Sequence, residues 1–128
     1  LICESEIKRL GLAGVVRLDT RFLDKEVVLA ELAKADLAVL PYEQSNEGGS
    51  ATAADCMCVG LPLIVSDAEI FDEVRAVAFT VQPTVKAISA GIIEVLSSPE
   101  LYVTLEQNSV AHAQENSWGN FAGGFLLG

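Results

Sequence analysis

The stretch from residue 35 to residue 67, ADLAVLPYEQSNEGGSATAADCMCVGLPLIVSD, constrains the fold more than any other part of the sequence. It contains two short apolar runs, 37–40 and 61–65, each followed by residues that end regular structure. Such runs are typical of strands that are buried on both faces of a parallel sheet. Residues 50–59 are long enough for a helix, which the following Gly-Leu-Pro would end. The stretch therefore predicts a strand, a loop, a helix and a second strand.

The loop before the predicted helix ends in Glu47-Gly48-Gly49, followed by Ser50. Two glycines directly before a helix allow the backbone to approach a ligand closely. The free amides and the helix dipole at that point favour an anion, typically phosphate. We therefore predict an anion site at the start of this helix.

Asp55 is the only charged side chain between Glu47 and Asp67, on a helix otherwise made of small, apolar or uncharged residues. A carboxylate in such surroundings is costly unless it has hydrogen-bond donors. At about 1.5 Å per residue it lies roughly 7–8 Å along the helix from Ser50. With Glu47 on the other side of the anion site, the two carboxylates suit an elongated ligand. A nucleotide-sugar, with a central phosphate and a hydroxyl-bearing group at each end, is such a ligand.

These motifs resemble the C-terminal domain of family 4 glycosyltransferases, which have the two-domain GT-B fold. The family signature is a strand ending in Pro, a Glu-Gly loop and a second Glu after seven residues. An Ala/Met-rich helix, Gly-x-Pro and another strand follow. The corresponding residues in this sequence are Pro41, Glu47-Gly48, Asp55, Met57, Gly60-Leu61-Pro62 and the run 63–65.

The sequence departs from the signature in three places. Asp55 stands where the family has Glu, Gly49-Ser50 replaces an aromatic-glycine pair, and the loop from Pro41 to Glu47 is longer than usual. Residues 70–74, IFDEV, resemble a Pro-x-Phe-Asp-Glu/Asp-Val motif found in a closer subset of the family. The resemblance covers nearly the whole chain, but only the middle third is specific.

The resemblance implies that residues 1–128 form a single Rossmann-like, nucleotide-sugar-binding domain of a retaining glycosyltransferase. The enzyme would transfer a hexosyl group from a nucleotide-diphosphate sugar to a glycan or lipid-linked acceptor, as in polysaccharide biosynthesis. The family's first strand of this half, its basic loop and the N-terminal acceptor domain would precede Leu1. Residues 1–128 alone are therefore expected to bind nucleoside diphosphates weakly and to be inactive.

The resemblance also assigns roles to individual residues. Glu47 would be the catalytic residue, in contact with the transferred sugar. The remaining donor-binding residues would be Gly48, Gly49 and Ser50 at the diphosphate, Asp55 at the ribose and Arg21 near the nucleobase. No metal or other cofactor is expected, because backbone amides, the helix dipole and basic side chains neutralise the leaving diphosphate in GT-B enzymes.

The rest of the sequence alternates helical and strand patterns. We predict strands at 15–18 and 76–81. Helices are predicted at 3–10, at 25–35 with Asp24 as N-cap, at 85–96, and from Ser98-Pro99 to about Asn116. A short helical turn is predicted at 69–74 and a last short helix from Ser117-Trp118. Four strands separated by helices indicate an α/β fold with a doubly wound parallel sheet. Ligands bind such sheets at the carboxyl ends of the strands, where the Glu47 loop and Ser66 would lie.

Composition restricts the partners and the compartment. A formal net charge of −10 opposes binding to nucleic acid or to an anionic bilayer. Cys56 and Cys58 point to different faces of a helix, and with Cys3 they are interpreted as buried free thiols. Free thiols favour a reducing, cytoplasmic location. The absent domain would hold the enzyme at the inner membrane face, and the oligomeric state stays open.

Two other functions compete with the enzyme. A non-catalytic Rossmann-like binding or interaction module is favoured by the acidic surface and by Asp at position 55. A phospho-receiver domain would need a lysine at the end of a strand. The lysines, Lys8, Lys25, Lys34 and Lys86, do not follow predicted strands, so this alternative is disfavoured.

Overall fold

The computed structural model of the chain describes residues 2–19, 23–42 and 51–121. Within these ranges, helices alternate with short strands. In chain order the elements are α1 (Ile2–Arg9), α2 (Lys25–Ala33), β1 (Ala38–Leu40), α3 (Ala51–Cys58), β2 (Leu63–Ser66), a 3-10 turn (Glu69–Phe71), β3 (Phe79–Val81), α4 (Val85–Ser97) and α5 (Pro99–Phe121).

The strands form a parallel sheet in the order β1-β2-β3. In the register of the sheet, Val39 lies beside Ile64 and Val65 lies beside Thr80. The central strand β2 is buried along its whole length, which explains why its sequence is continuously apolar rather than alternating. The predicted α/β fold with a parallel sheet is therefore confirmed.

Helices cover both faces of this sheet. On one face Leu63 and Val65 join a core that also contains Met57 of α3 and Phe71 of the 3-10 turn. On the other face Ile64 packs in a second core with side chains of α4 and α5. The alternation of neighbouring β2 residues between the two cores follows from the two-residue period of a strand.

The predicted strand at residues 15–18 is wrong. These residues adopt no regular structure, and Val15 and Val16 donate backbone hydrogen bonds to the Leu12 carbonyl in a turn. Val15 is 80% exposed and Leu18 is 43% exposed. A strand requires a neighbour that completes its hydrogen-bond ladder. In the described parts of the chain, no strand pairs with these residues.

Each of the two C-terminal helices, α4 and α5, begins at a hydroxyl residue that caps it. The Thr84 hydroxyl accepts a hydrogen bond from the Ala87 amide at 3.1 Å, and Ser98 accepts one from Leu101 at 3.2 Å, as expected of N-caps. Asp24 also precedes its helix as predicted, but its side chain makes no capping bond within the described residues.

The last helix is longer than predicted. It continues without a break to Phe121, so the separate short helix from Ser117 is wrong. Serine and tryptophan lower helix propensity only slightly and do not force a break. No single helix of the described ranges is long and apolar enough to cross a membrane, although α4 and α5, bent by 99°, meet that criterion as a pair.

Gly60 ends α3 with a left-handed conformation, as the sequence predicts. Its φ is +78°, and the Leu61 amide donates back to the Cys56 carbonyl at 3.0 Å, which satisfies an end carbonyl of the helix. A Cβ on Gly60 would lie 3.2 Å from Cγ2 of Val110 on α5. The position therefore combines a backbone requirement with a close contact.

We predict that Gly60→Ala lowers the free energy of unfolding by about 1–2 kcal/mol, because L-residues are strained in this conformation. Gly11→Ala is the matched control, since Gly11 has φ +68° but open space around its Cβ position. Gly14→Ala, with neither feature, should be neutral. Chemical denaturation of the three variants measures their free energies of unfolding. A Gly60→Ala variant as stable as Gly14→Ala would contradict the prediction.

Candidate functional site

The carboxyl ends of the three strands meet at one edge of the sheet, where α/β folds bind ligands. Tyr42 follows β1, Ser66 ends β2 and is followed by Asp67, and Gln82 follows β3. Ser66 was predicted to lie at this edge, and the structure confirms it. The edge is therefore the candidate functional site.

Ser66 connects the ends of β1 and β2. Its side chain is buried, and its hydroxyl donates a short hydrogen bond to the Tyr42 carbonyl, with the Leu40 carbonyl oxygen 3.5 Å away. The Tyr42 ring also contacts Phe71, with the ring centroids 5.3 Å apart. Two independent contacts therefore fix the chain at the residue that precedes residues 43–50.

Asp55 lies in α3 and forms an ion pair with Lys25, the first residue of α2. The Lys25 ammonium nitrogen is 2.7 Å from Oδ1 of Asp55. The Asp55 side chain is 18% exposed and that of Lys25 is 62% exposed. The prediction that this carboxylate needs a hydrogen-bond donor is thus confirmed. Nothing in the sequence pointed to Lys25 as that donor, because only tertiary contact between α2 and α3 brings residues 30 positions apart together.

Arg75 donates hydrogen bonds to three groups beside the ends of β2 and β3. It donates to the carboxylate of Asp67 by a short hydrogen bond, to Asp72 at 2.9 Å and to the Ala68 carbonyl at 3.3 Å. The hydrogen bond from Arg75, followed by its positive charge, lowers the pKa of Asp67. Gln82 also reaches Asp67 at 3.4 Å. The arrangement keeps Asp67 ionised and links the two strand ends through side chains.

The other predicted site residues lie outside the described residues. They are the catalytic candidate Glu47, the amide-bearing Gly48, Gly49 and Ser50, and the nucleobase candidate Arg21. The first described residue after them is Ala51, which begins α3. Asp55 therefore lies one helical turn beyond the residues predicted to bind phosphate.

The cysteines only partly follow the prediction. Cys56 is buried and Cys58 is exposed, in agreement with opposite faces of α3, but Cys3 is also exposed. The prediction of three buried thiols is therefore wrong for Cys3 and Cys58, because neither residue faces a core. Burial, and then the charge of Asp55, raises the pKa of Cys56 to about 11. Cys56 is thus protonated at neutral pH and is a poor nucleophile.

The described parts of the chain contain no group of three or more His, Cys, Asp or Glu side chains arranged to hold a metal ion. A groove of about 350 Å³ lies between α5 and the turn after α3. Because Gly60 of that turn precedes β2, this groove lies at the edge of the sheet opposite to the candidate site.

Comparisons with known families and solved structures both give matches. The model of a family described as glycosyl transferases group 1 matches residues 4–112. Sucrose-phosphate synthase from Thermosynechococcus elongatus has a similar structure, with a TM-score of 0.75 and 21% sequence identity. That match covers 88% of this chain and 29% of the synthase, and at this identity it shows a common fold alone. The curated proteins contain no significant match.

Proposed function

Because the chain belongs to the group 1 glycosyl transferases, we propose that it is the C-terminal, donor-binding domain of a retaining enzyme of the family 4 type. The enzyme would transfer a hexosyl group from a nucleotide-diphosphate sugar to a glycan or lipid-linked acceptor. The chain spans 29% of the synthase it resembles. The acceptor-binding part is proposed to lie in a separate, N-terminal domain of the complete gene product.

The position of Asp55 carries the proposal. It is a half-buried carboxylate on a helix that begins directly after Glu47, Gly48, Gly49 and Ser50. A helix start of this kind suits a diphosphate, and a carboxylate one turn further suits the two hydroxyls of a ribose. The spacing therefore supports a nucleotide rather than a simple anion as the ligand.

The proposed chemistry divides the nucleotide-sugar among these residues. Glu47 would contact the transferred sugar and stabilise the positive charge that develops on it in the transition state. The amides of Gly48, Gly49 and Ser50 would bind the diphosphate as it leaves, and Arg21 would lie near the nucleobase. Amides, helix dipole and basic side chains would neutralise the leaving group, so the proposal includes no metal.

The test uses the complete gene product and a panel of uridine, adenosine and guanosine diphosphate sugars. We expect calorimetry to detect binding of at least one of them, and an acceptor screen to detect release of the nucleoside diphosphate. A chelator should leave the release rate unchanged, because no metal takes part. Folded protein that binds none of these compounds would refute the proposal.

A non-catalytic Rossmann-like binding or interaction module is the second candidate. The Lys25–Asp55 ion pair supports it, since a charged partner already satisfies the carboxylate without a ligand. The net charge of −10 also opposes an anionic ligand. The same experiment separates the candidates, because such a module would release no nucleoside diphosphate with any acceptor.

A further inference from the structure

We propose that Lys25 is a second ribose-contacting residue, which donates a hydrogen bond to one ribose hydroxyl while Asp55 accepts one from the neighbouring hydroxyl. This inference rests on the proposed function and deepens it, because the ribose would be recognised by a donor, Lys25, and an acceptor, Asp55, together. The observation behind it is the 2.7 Å contact between the Lys25 ammonium and Oδ1 of Asp55.

The Lys25 side chain is more exposed than the carboxylate with which it pairs. Asp55 is 18% exposed, since α3 packs against the sheet and α5, whereas Lys25 is 62% exposed at the beginning of α2. A ligand that binds Asp55 therefore comes close to the Lys25 ammonium, which lies 2.7 Å from Oδ1. The ammonium must either be displaced by the ligand or take part in binding it.

The hydrogen-bonding capacity of the groups favours participation. An ammonium has three donors, a carboxylate has about four acceptor positions, and each ribose hydroxyl both donates and accepts. Lys25 can keep one bond to Oδ1 of Asp55 and offer another donor to a hydroxyl oxygen. Asp55 retains acceptor positions for the neighbouring hydroxyl. The pair therefore satisfies a ribose diol without first breaking the ion pair.

The length of the side chains points the same way. Asp55 is one methylene shorter than the glutamate found at this position in the family that the sequence resembles. A shorter carboxylate reaches less far toward a ligand, whereas Lys25 extends from α2 and places its ammonium 2.7 Å from Oδ1. Lys25 thus supplies the reach that aspartate lacks.

Charge provides a second argument for participation. Several other cations of the described residues are paired elsewhere: Arg9 with Glu6, Arg17 and Lys34 with Glu31, and Arg75 with Asp67 and Asp72. A nucleoside diphosphate is an anion, and the protein carries a net charge of −10. An ammonium kept at the ribose offsets the repulsion that Asp55 and the rest of the protein exert on the ligand.

The experiment compares Lys25→Met with Lys34→Met in the complete gene product. Lys34 follows the same helix and pairs with Glu31 at 3.5 Å, so it controls for the loss of one lysine charge. The probes are the nucleoside diphosphate that binds the unaltered protein most tightly and its 2′-deoxy form. We expect Lys25→Met to weaken binding of the ribose form by roughly three- to tenfold, which is the range of a typical net hydrogen bond.

The expected pattern is specific. Lys25→Met should reduce the preference for ribose over 2′-deoxyribose, Lys25→Arg should retain part of it, and Lys34→Met should leave it unchanged. Unchanged or tighter ribose binding by a folded Lys25→Met variant would overturn the inference. Lys25 would then either not contact the ligand or compete with it for Asp55. If the unaltered protein binds nucleotide without preferring ribose, the proposed role of Asp55 fails instead.

Discussion

Replacing Phe71 with alanine should lower the free energy of unfolding by about 3–5 kcal/mol, the typical cost of removing a large buried aromatic side chain. Phe71 is fully buried, and it packs in the core that joins the 3-10 turn to β2 and α3. Domains of this size have a total stability of about 5–15 kcal/mol. The substitution should therefore remove a large fraction of the stability.

The effect of Phe71→Ala can be measured by urea denaturation, with the midpoint and slope analysed together. Val85→Ala is the control, because Val85 is 87% exposed and its truncation should cost almost nothing. Because Phe71 also contacts the Tyr42 ring, the variant should lose order at the chain segment that enters residues 43–50. Two variants of equal stability would show that Phe71 does not anchor this core.

The sequence predicts well those features that depend on local interactions. Ser98 and Pro99 begin α5, Gly60 ends α3, and the two apolar runs of the central stretch form β1 and β2. In each case residues within a few positions make the decisive hydrogen bond or set the backbone conformation. A single segment therefore contains the information needed to place these features.

Features that depend on distant partners were not predictable in this way. The apolar residues at 15–18 have the composition of a strand, but composition does not provide the neighbouring strand that a hydrogen-bond ladder requires. The prediction of where α5 ends was wrong for a different reason. Residues with moderate helix propensity can either stop or continue a helix, and nothing in their local sequence decides between the two.

The candidate site shows the same division. Asp55 stands out in the sequence because a carboxylate on an apolar helix needs a hydrogen-bond donor. Lys25 as that donor could not be identified, because the choice depends on how α2 and α3 pack. Ser66 was placed at the correct sheet edge, but its hydrogen bond to Tyr42 depends on the parallel pairing of β1 with β2.

Asp55→Asn in the complete gene product should weaken binding of the nucleotide-sugar by roughly 10- to 150-fold, because a hydrogen bond to a charged group contributes about 1.5–3 kcal/mol. Asparagine has nearly the same shape, so α3 and its packing should be preserved. It removes the anionic acceptor that is proposed to bind the ribose, and it also removes the charge that attracts Lys25. Asp55→Glu should be tolerated better, because glutamate occupies this position in the family that the sequence resembles.

Measuring nucleotide-sugar affinity and melting temperature on both variants distinguishes a ligand contact from a structural one. A ligand contact predicts that Asp55→Asn loses affinity and keeps its melting temperature, since ion pairs with an exposed partner contribute little to stability. A purely structural Lys25–Asp55 pair predicts the reverse, with a lower melting temperature and unchanged affinity. Unchanged affinity in folded Asp55→Asn would remove Asp55 from the site. The proposal would then lack the one described residue on which its ligand assignment depends.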